Sequence, residues 1–147
     1  MKHNLSVVVL TILYLCAFAR AEEDVIDAKD SDFDELVSKN AFSLVKFYAP
    51  WCGHCKRLAP EWDKAATTLK GRAGIIRVDC TAETAVCEKF SVRSYPTLKI
   101  FRNGIVVGDY DGGRTADAIV KFVEGNLGPA VAVVANSADL AAVKEAN

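Results

Sequence analysis

The chain has 147 residues, 51% of them hydrophobic and 25% charged, which is the size and composition of one folded domain and too little chain for two full ones. Eighteen basic against 19 acidic side chains leave a net charge of -1, so no summed field draws in nucleic acid or an anionic membrane. Nine glycines, four prolines and no low-complexity tract argue against fibrous and disordered classes, because this apolar fraction can offset the entropy of ordering the chain.

Lys2 and His3 precede an apolar run from Leu5 to Phe18, broken only by Ser6 and Thr11, and small residues follow at Ala17, Ala19 and Ala21. A charged start, an apolar centre and small residues in that order describe a secretory signal peptide. The run of 14 residues is shorter than the roughly 17–25 of a membrane span. The expectation is a leader over 1–21, cleaved after Ala21 rather than Ala19, with no stable membrane association afterwards. Cleavage would remove Lys2 and Arg20 and leave a net charge of -3, and it would also remove Asn4-Leu5-Ser6, the only N-glycosylation site. Cys16 would leave too, so that Cys52, Cys55, Cys80 and Cys87 remain. An even number of cysteines in an oxidising compartment points to disulfide chemistry, and the two close spacings favour the pairs Cys52–Cys55 and Cys80–Cys87.

In chain order, a short strand is expected near Val25 to Asp27, followed by a helix carrying Phe33, Leu36 and Val37 with Asp30 or Ser31 as its cap. Phe42 to Tyr48 reads as a buried strand that Ala49-Pro50 stops. From about Cys52 to Leu69, Leu58, Trp62, Ala65, Ala66 and Leu69 recur at helical spacing, with a kink expected at Pro60. Gly71 and Gly74 end that segment. Ile75 to Val78 reads as a strand and Thr84 to Phe90 as a short helix. Thr97 to Phe101 and Ile105 to Val107 flank Asn103-Gly104, a strong hairpin signal. Thr115 caps a last helix through Ile119, Val120, Phe122 and Val123 that is expected to end at Gly125. The order βαβαβαββα is an α/β domain with a closing antiparallel hairpin, and C-x-x-C between the second strand and its helix marks a thioredoxin fold with a central mixed sheet.

The domain is expected over 22–128, leaving 129–147 as a linker and the start of a second, truncated thioredoxin-like domain. Val131 to Val134 would be its strand, and Asn136 or Ser137 would cap a helix with Leu140 and Val143. This tail echoes the opening strand and helix, and one strand with one helix cannot bury a core alone.

Phe47-Tyr48-Ala49-Pro50-Trp51-Cys52-Gly53-His54-Cys55-Lys56, with Leu58-Ala59-Pro60-Glu61 behind it, resembles the first catalytic domain of the protein disulfide isomerases. Tyr95-Pro96-Thr97 and Gly113-Arg114-Thr115-Ala116-Asp117 match later motifs of that family, so the resemblance runs over about 22–130. Val78-Asp79-Cys80-Thr81 with Cys87 downstream resembles most the calnexin- and calreticulin-associated branch that handles glycoproteins. The resemblance implies a thiol-disulfide oxidoreductase and isomerase of the endoplasmic reticulum lumen that needs no metal or organic cofactor. Its partners would be unfolded or misfolded secretory polypeptides, with glutathione or an upstream thiol oxidase. The last residues, Lys144-Glu145-Ala146-Asn147, are not a retrieval signal of the Lys-Asp-Glu-Leu type, which leaves secretion open.

Cys52 stands where a helix begins, and unpaired N–H groups and the positive end of the dipole there lower a thiol pKa, so Cys52 is the expected attacking sulfur. Cys55, one turn on, is the expected resolving thiol. Between them lie Gly53 and His54, whose partial positive charge would favour the Cys52 thiolate. A zinc site built from all four cysteines is the competing reading, against which stands the six-residue gap between Cys80 and Cys87. A static Cys52–Cys55 disulfide is another. Cys80 and Cys87 read as a structural disulfide, or else as two free buried thiols.

The resemblance further implies a cis bond at Tyr95-Pro96 facing the thiols, with Trp51, Tyr95 and Pro96 contacting an extended substrate. It implies a mobile Arg114 that lowers the pKa of the resolving thiol; otherwise Arg114 is a solvated helix-start residue. The chain departs from the family at Lys46, where a buried glutamate normally takes the proton of the resolving cysteine, and at Arg77, where the partner of that glutamate is a lysine. An inward Lys46 would be pushed toward the neutral amine and could accept that proton; an outward one would leave no buried base. Mixed disulfides at Cys52 are therefore expected to resolve more slowly than in Lys46→Glu. Outside catalysis, the alternative is a chaperone or decoy that binds unfolded chains through Trp51, Tyr95 and Pro96.

Overall fold

The computed structural model describes residues 24–127, so the leader expected over 1–21 and the tail expected over 129–147 lie outside the described residues. The elements are β1 (Ile26–Asp27), α1 (Phe33–Ser38), β2 (Phe42–Tyr48), α2 (Gly53–Leu69), β3 (Gly74–Asp79), α3 (Thr84–Lys89), β4 (Thr97–Arg102), β5 (Ile105–Asp109) and α4 (Ala116–Leu127). The strands form one sheet in the order β1-β3-β2-β4-β5. β3 runs parallel to β1 and β2, whereas β4 is antiparallel to β2 and β5. This is the mixed sheet of the thioredoxin fold.

β2 lies at the centre and is buried along nearly its whole length, which explains its continuous apolar run. Because side chains alternate across a strand, Leu44 joins the core made with Leu58, Trp62 and Leu69 of α2 and Ile119 and Val123 of α4. Val45 and Phe47 join Phe33 and Val37 of α1 and Val86 of α3 on the opposite face. Lys46 has the same parity as Leu44 and therefore turns toward α2.

Two helix boundaries differ from the sequence expectation. Asp30 does not cap α1, whose N-cap is Asp32; its carboxylate instead accepts the Val86 N–H of α3 at 2.9 Å, while the Glu83 carboxylate accepts the Asp30 N–H at 2.7 Å. A partner distant in sequence competes successfully for Asp30. The last helix runs past Gly125 to Leu127, because Asn126 Nδ2 donates to the Phe122 carbonyl and Arg102 donates to the Asn126 carbonyl at 3.0 Å. Tertiary contact holds that extra turn against the weak helix propensity of glycine. At the other end of α4, Thr115 Oγ1 accepts the Ala118 N–H at 3.3 Å, the cap read from the sequence. Asn103 and Gly104 both have positive φ, 49° and 82°, as the tight hairpin requires.

A disulfide joins Cys80, just past β3, to Cys87 in α3, with Cα atoms 5.7 Å apart. It removes both thiolates from a four-cysteine ligand set. Closing so short a loop contributes on the order of 2.5 kcal/mol in the chain-entropy model. The double variant Cys80→Ala/Cys87→Ala should lose about that much in urea denaturation yet retain a reactive Cys52. A loss below about 0.5 kcal/mol, well under the chain-entropy value, would show that the bridge does not staple the fold.

Candidate active site

β2 carries the chain directly into the turn Ala49–Trp51. The Cys52 N–H donates to the Ala49 carbonyl at 3.1 Å, and the Lys56 N–H donates to the Cys52 carbonyl at 3.0 Å, so Cys52 is the N-cap of α2 and Gly53 and His54 are its first helical residues. The Cys52 sulfur accepts the Cys55 N–H at 3.4 Å. The sulfur thus occupies the place that a serine or aspartate oxygen takes in an ordinary N-cap.

Both Cys52 and Cys55 are free thiols and both are buried, but their surroundings drive them apart. The Cys52 pKa lies below that of an ordinary thiol, first through the hydrogen bond from the Cys55 side chain and then through the Cys55 N–H, with smaller help from the His54 N–H and the charge of Arg57. Burial, followed by that same hydrogen bond to Cys52, pushes Cys55 up to about 11. One sulfur is ready to attack and the other is held protonated. These are the requirements of a nucleophile and a resolving thiol.

The Tyr95–Pro96 peptide is cis, and the Tyr95 carbonyl accepts the Cys52 S–H at 3.6 Å. Tyr95 packs both on the small cluster of Ala49, Cys52 and Cys55 and on the cluster that contains the Cys80–Cys87 bridge. Trp51 is 70% exposed, its ring edge-on to Tyr95 with centroids 6.0 Å apart. The expected substrate-contacting residues Trp51, Tyr95 and Pro96 therefore adjoin Cys52.

Lys46 does not reach bulk solvent; it is 3% exposed and lines a cleft of about 110 Å³ with Tyr48, Ala49, Cys55, Ala59 and Arg77. Its Nζ lies 5.4 Å from the Trp62 ring centroid and 5.5 Å from that of Tyr48. Burial brings its pKa down to about 8, opposed by Asp63 and reinforced by Arg77. The two cations are not equivalent, because Arg77 grips Asp27 through Nε and, at 2.7 Å, through Nη2, whereas Lys46 has no ion pair among the described residues.

Arg114 lies on the other flank of α2, in a cleft shared with His54, Arg57 and Leu58. The groups that shift Cys55 are its own burial, Cys52, Ala49 and Lys46; Arg114 is not one of them in this conformation. Arg57 is a site residue that the sequence reading missed. Its Nη2 donates to His54 Nδ1 at 2.8 Å, so the charge next to the thiols is a guanidinium held by the imidazole. The signal for it was the spacing of three between His54 and Arg57 on a helix.

A pair of free thiols in Cys-x-x-Cys spacing at a helix start beside a cis-proline loop has the geometry of a thioredoxin-type site. The Thioredoxin family model matches residues 24–125, and the chain belongs to that family. It is similar to the Protein disulfide-isomerase A3 of Gallus gallus, 48% identical over 131 residues that span 88% of this chain and 26% of the relative. It is also similar to the Probable protein disulfide-isomerase ER-60 of Schistosoma mansoni, 43% identical over 134 residues, 89% of this chain and 28% of the relative. Among solved structures, the first thioredoxin domain of mouse Protein disulfide-isomerase A4 superposes with a TM-score of 0.65 at 42% identity, covering 74% of this chain and 79% of that one. The chain spans about a quarter of the length of the curated relatives it matches.

At pH 7 a thiol with a pKa of about 11 is ionised in roughly one molecule in ten thousand, so iodoacetamide should label Cys52 of the reduced protein at least about a hundredfold faster than Cys55. Mass spectrometry of short time points reads the ratio. Labelling of both sulfurs at the rate of an unstructured peptide cysteine would refute the assignment of roles.

Proposed function

We propose that the chain is a thiol-disulfide oxidoreductase and isomerase that forms and rearranges disulfides in polypeptides of the secretory pathway. The observation that carries this reading is the opposed environment of two sulfurs one helical turn apart, with Cys52 favoured as thiolate and Cys55 as thiol. In isomerisation, the Cys52 thiolate attacks a substrate disulfide, forms one S–S bond and releases a substrate thiolate that takes up a proton. A second substrate thiolate then attacks the mixed disulfide and frees Cys52. If the substrate stalls, Cys55 gives up its proton and attacks the Cys52 sulfur; the substrate leaves reduced and the Cys52–Cys55 pair is left oxidised. Starting from the oxidised pair, the same steps in reverse oxidise a substrate dithiol. Glutathione or an upstream thiol oxidase restores the starting state. The endoplasmic reticulum lumen is the proposed site of action, supported by the leader-like start of the sequence and the disulfide at Cys80–Cys87.

Reactivation of scrambled ribonuclease tests the reading. Activity should be lost in Cys52→Ser. Unchanged activity in that variant would sink the mechanism, and absent activity with intact binding of an unfolded peptide would favour the chaperone reading that Trp51 and Tyr95 also allow.

Lys46 is proposed to sit in the proton path of Cys55. With a pKa of about 8, roughly one amine in ten is neutral and able to accept a proton at pH 7. Mixed disulfides at Cys52 should therefore resolve more slowly at pH 7 than in Lys46→Glu, and the gap should close as pH rises above about 8 and Lys46 loses its charge. Stopped-flow acid quench measures the escape rate; equal rates at pH 7 would remove Lys46 from the path.

A further inference from the structure

The cleft on the Arg114 flank of α2 encloses about 220 Å³ between His54, Arg57, Leu58 and Arg114. Its floor is the buried Leu58, and its walls are one imidazole and two guanidinium groups. Arg57 donates only to His54, and Arg114 makes neither a hydrogen bond nor an ion pair among the described residues. Two arginines on one small cleft, each with donors to spare, form a fork suited to an anion and above all to a carboxylate.

Among the described residues no carboxylate pairs with either arginine. Glu61 is one turn beyond Arg57 on α2, but its Oε2 accepts the Ala116 N–H at 2.7 Å and its Oε1 takes Lys64 at 3.1 Å. The first of these bonds also clamps the start of α4 to α2, and Tyr110 Oη donates to the Gly113 carbonyl at 2.7 Å. Arg114 is thereby presented from a loop tied down on both sides. The cleft includes His54, two residues from Cys52 along the chain, which puts a substrate bonded to the Cys52 sulfur beside it.

We propose that this cleft receives a carboxylate of the thiol or disulfide substrate, close to the sulfur under exchange, and so gives Cys52 a preference for cysteines that carry an acidic neighbour. The inference rests on the reading of Cys52 as the attacking thiol. The carboxylate has two sources, an acidic side chain of a polypeptide or the terminal carboxylates of glutathione, and the chemistry recognised is the same. The net charge of the chain, -1, is of the wrong sign to produce such a preference at long range, so it must be local.

The test measures the initial rate at which reduced Cys52 in the full chain is consumed by matched disulfides. One pair of substrates is a disulfide-linked peptide with Glu or Gln two residues from its cysteine; the other is glutathione disulfide and its carboxyl ester. The acid-bearing member should react about fivefold faster, the size expected from two partly exposed ion pairs, and about 1 M salt should erase the difference by screening. In Arg57→Gln/Arg114→Gln the ratio should fall to about one, while Arg72→Gln, which removes one positive charge from beyond the far end of α2, should keep it. Taking the ratio within each variant cancels any change in the reactivity of Cys52 itself. A preference for the acid in either substrate pair supports the cleft and identifies the source. A ratio of one in the unaltered protein with normal reaction of the neutral substrates, or a ratio that survives the double substitution, overturns it. No reaction of Cys52 with any substrate overturns the exchange reading, and this inference with it.

Discussion

The hydrogen bond from the Cys55 N–H to the Cys52 sulfur is the contact on which the chemistry depends. It exists because β2 ends at Tyr48 and α2 begins at Gly53, leaving a cysteine at the one position whose side chain can accept an N–H from the first turn. The two thiols are ordered by the hydrogen bond between their side chains, to which this N–H adds on the Cys52 side and burial on the Cys55 side. The side-chain bond that favours negative charge on Cys52 also helps to keep the buried Cys55 protonated.

Around that cap the fold places two clefts of different character on opposite flanks of α2. The smaller, of about 110 Å³, leads to Cys55 and contains a buried amine near the Tyr48 and Trp62 rings. The larger, of about 220 Å³, begins at His54 and is lined by Arg57 and Arg114. In the proposed mechanism the first bears on how Cys55 loses its proton, and in the proposed carboxylate preference the second bears on what the substrate carries next to its sulfur. Tyr95 ties the site to the rest of the domain, since it contacts the Cys52–Cys55 cluster on one side and, on the other, the cluster braced by the Cys80–Cys87 bridge. That bridge lies in the cluster on which Tyr95 of the cis-proline loop packs.

Strand and helix order, the hairpin at Asn103-Gly104 and the position of Cys52 at a helix start were all readable from the chain. Each rests on local physics: apolar periodicity, the positive φ that asparagine and glycine tolerate, and the stop that Ala49-Pro50 imposes on β2. Helix ends were less readable. Asp30 is chemically an equally good cap for α1 or α3, and only the approach of α3 decides between them. Gly125 is a reasonable helix stop until Arg102 arrives from β4 to hold the Asn126 carbonyl.

Lys46 shows the same division most clearly. Alternation along β2 assigns it the parity of Leu44, but parity does not say whether the helix covering that face leaves a long side chain a way out to water. The Trp62 ring lies beside the amine, which stays buried in the cleft it shares with Cys55 and Arg77. The pairing of Arg57 with His54, and the lack of a partner for Arg114 among the described residues, are likewise properties of assembled surfaces. Short-range order comes from residue types at fixed spacing, whereas the charge felt by each sulfur depends on groups that meet only after the sheet and its helices have closed around them.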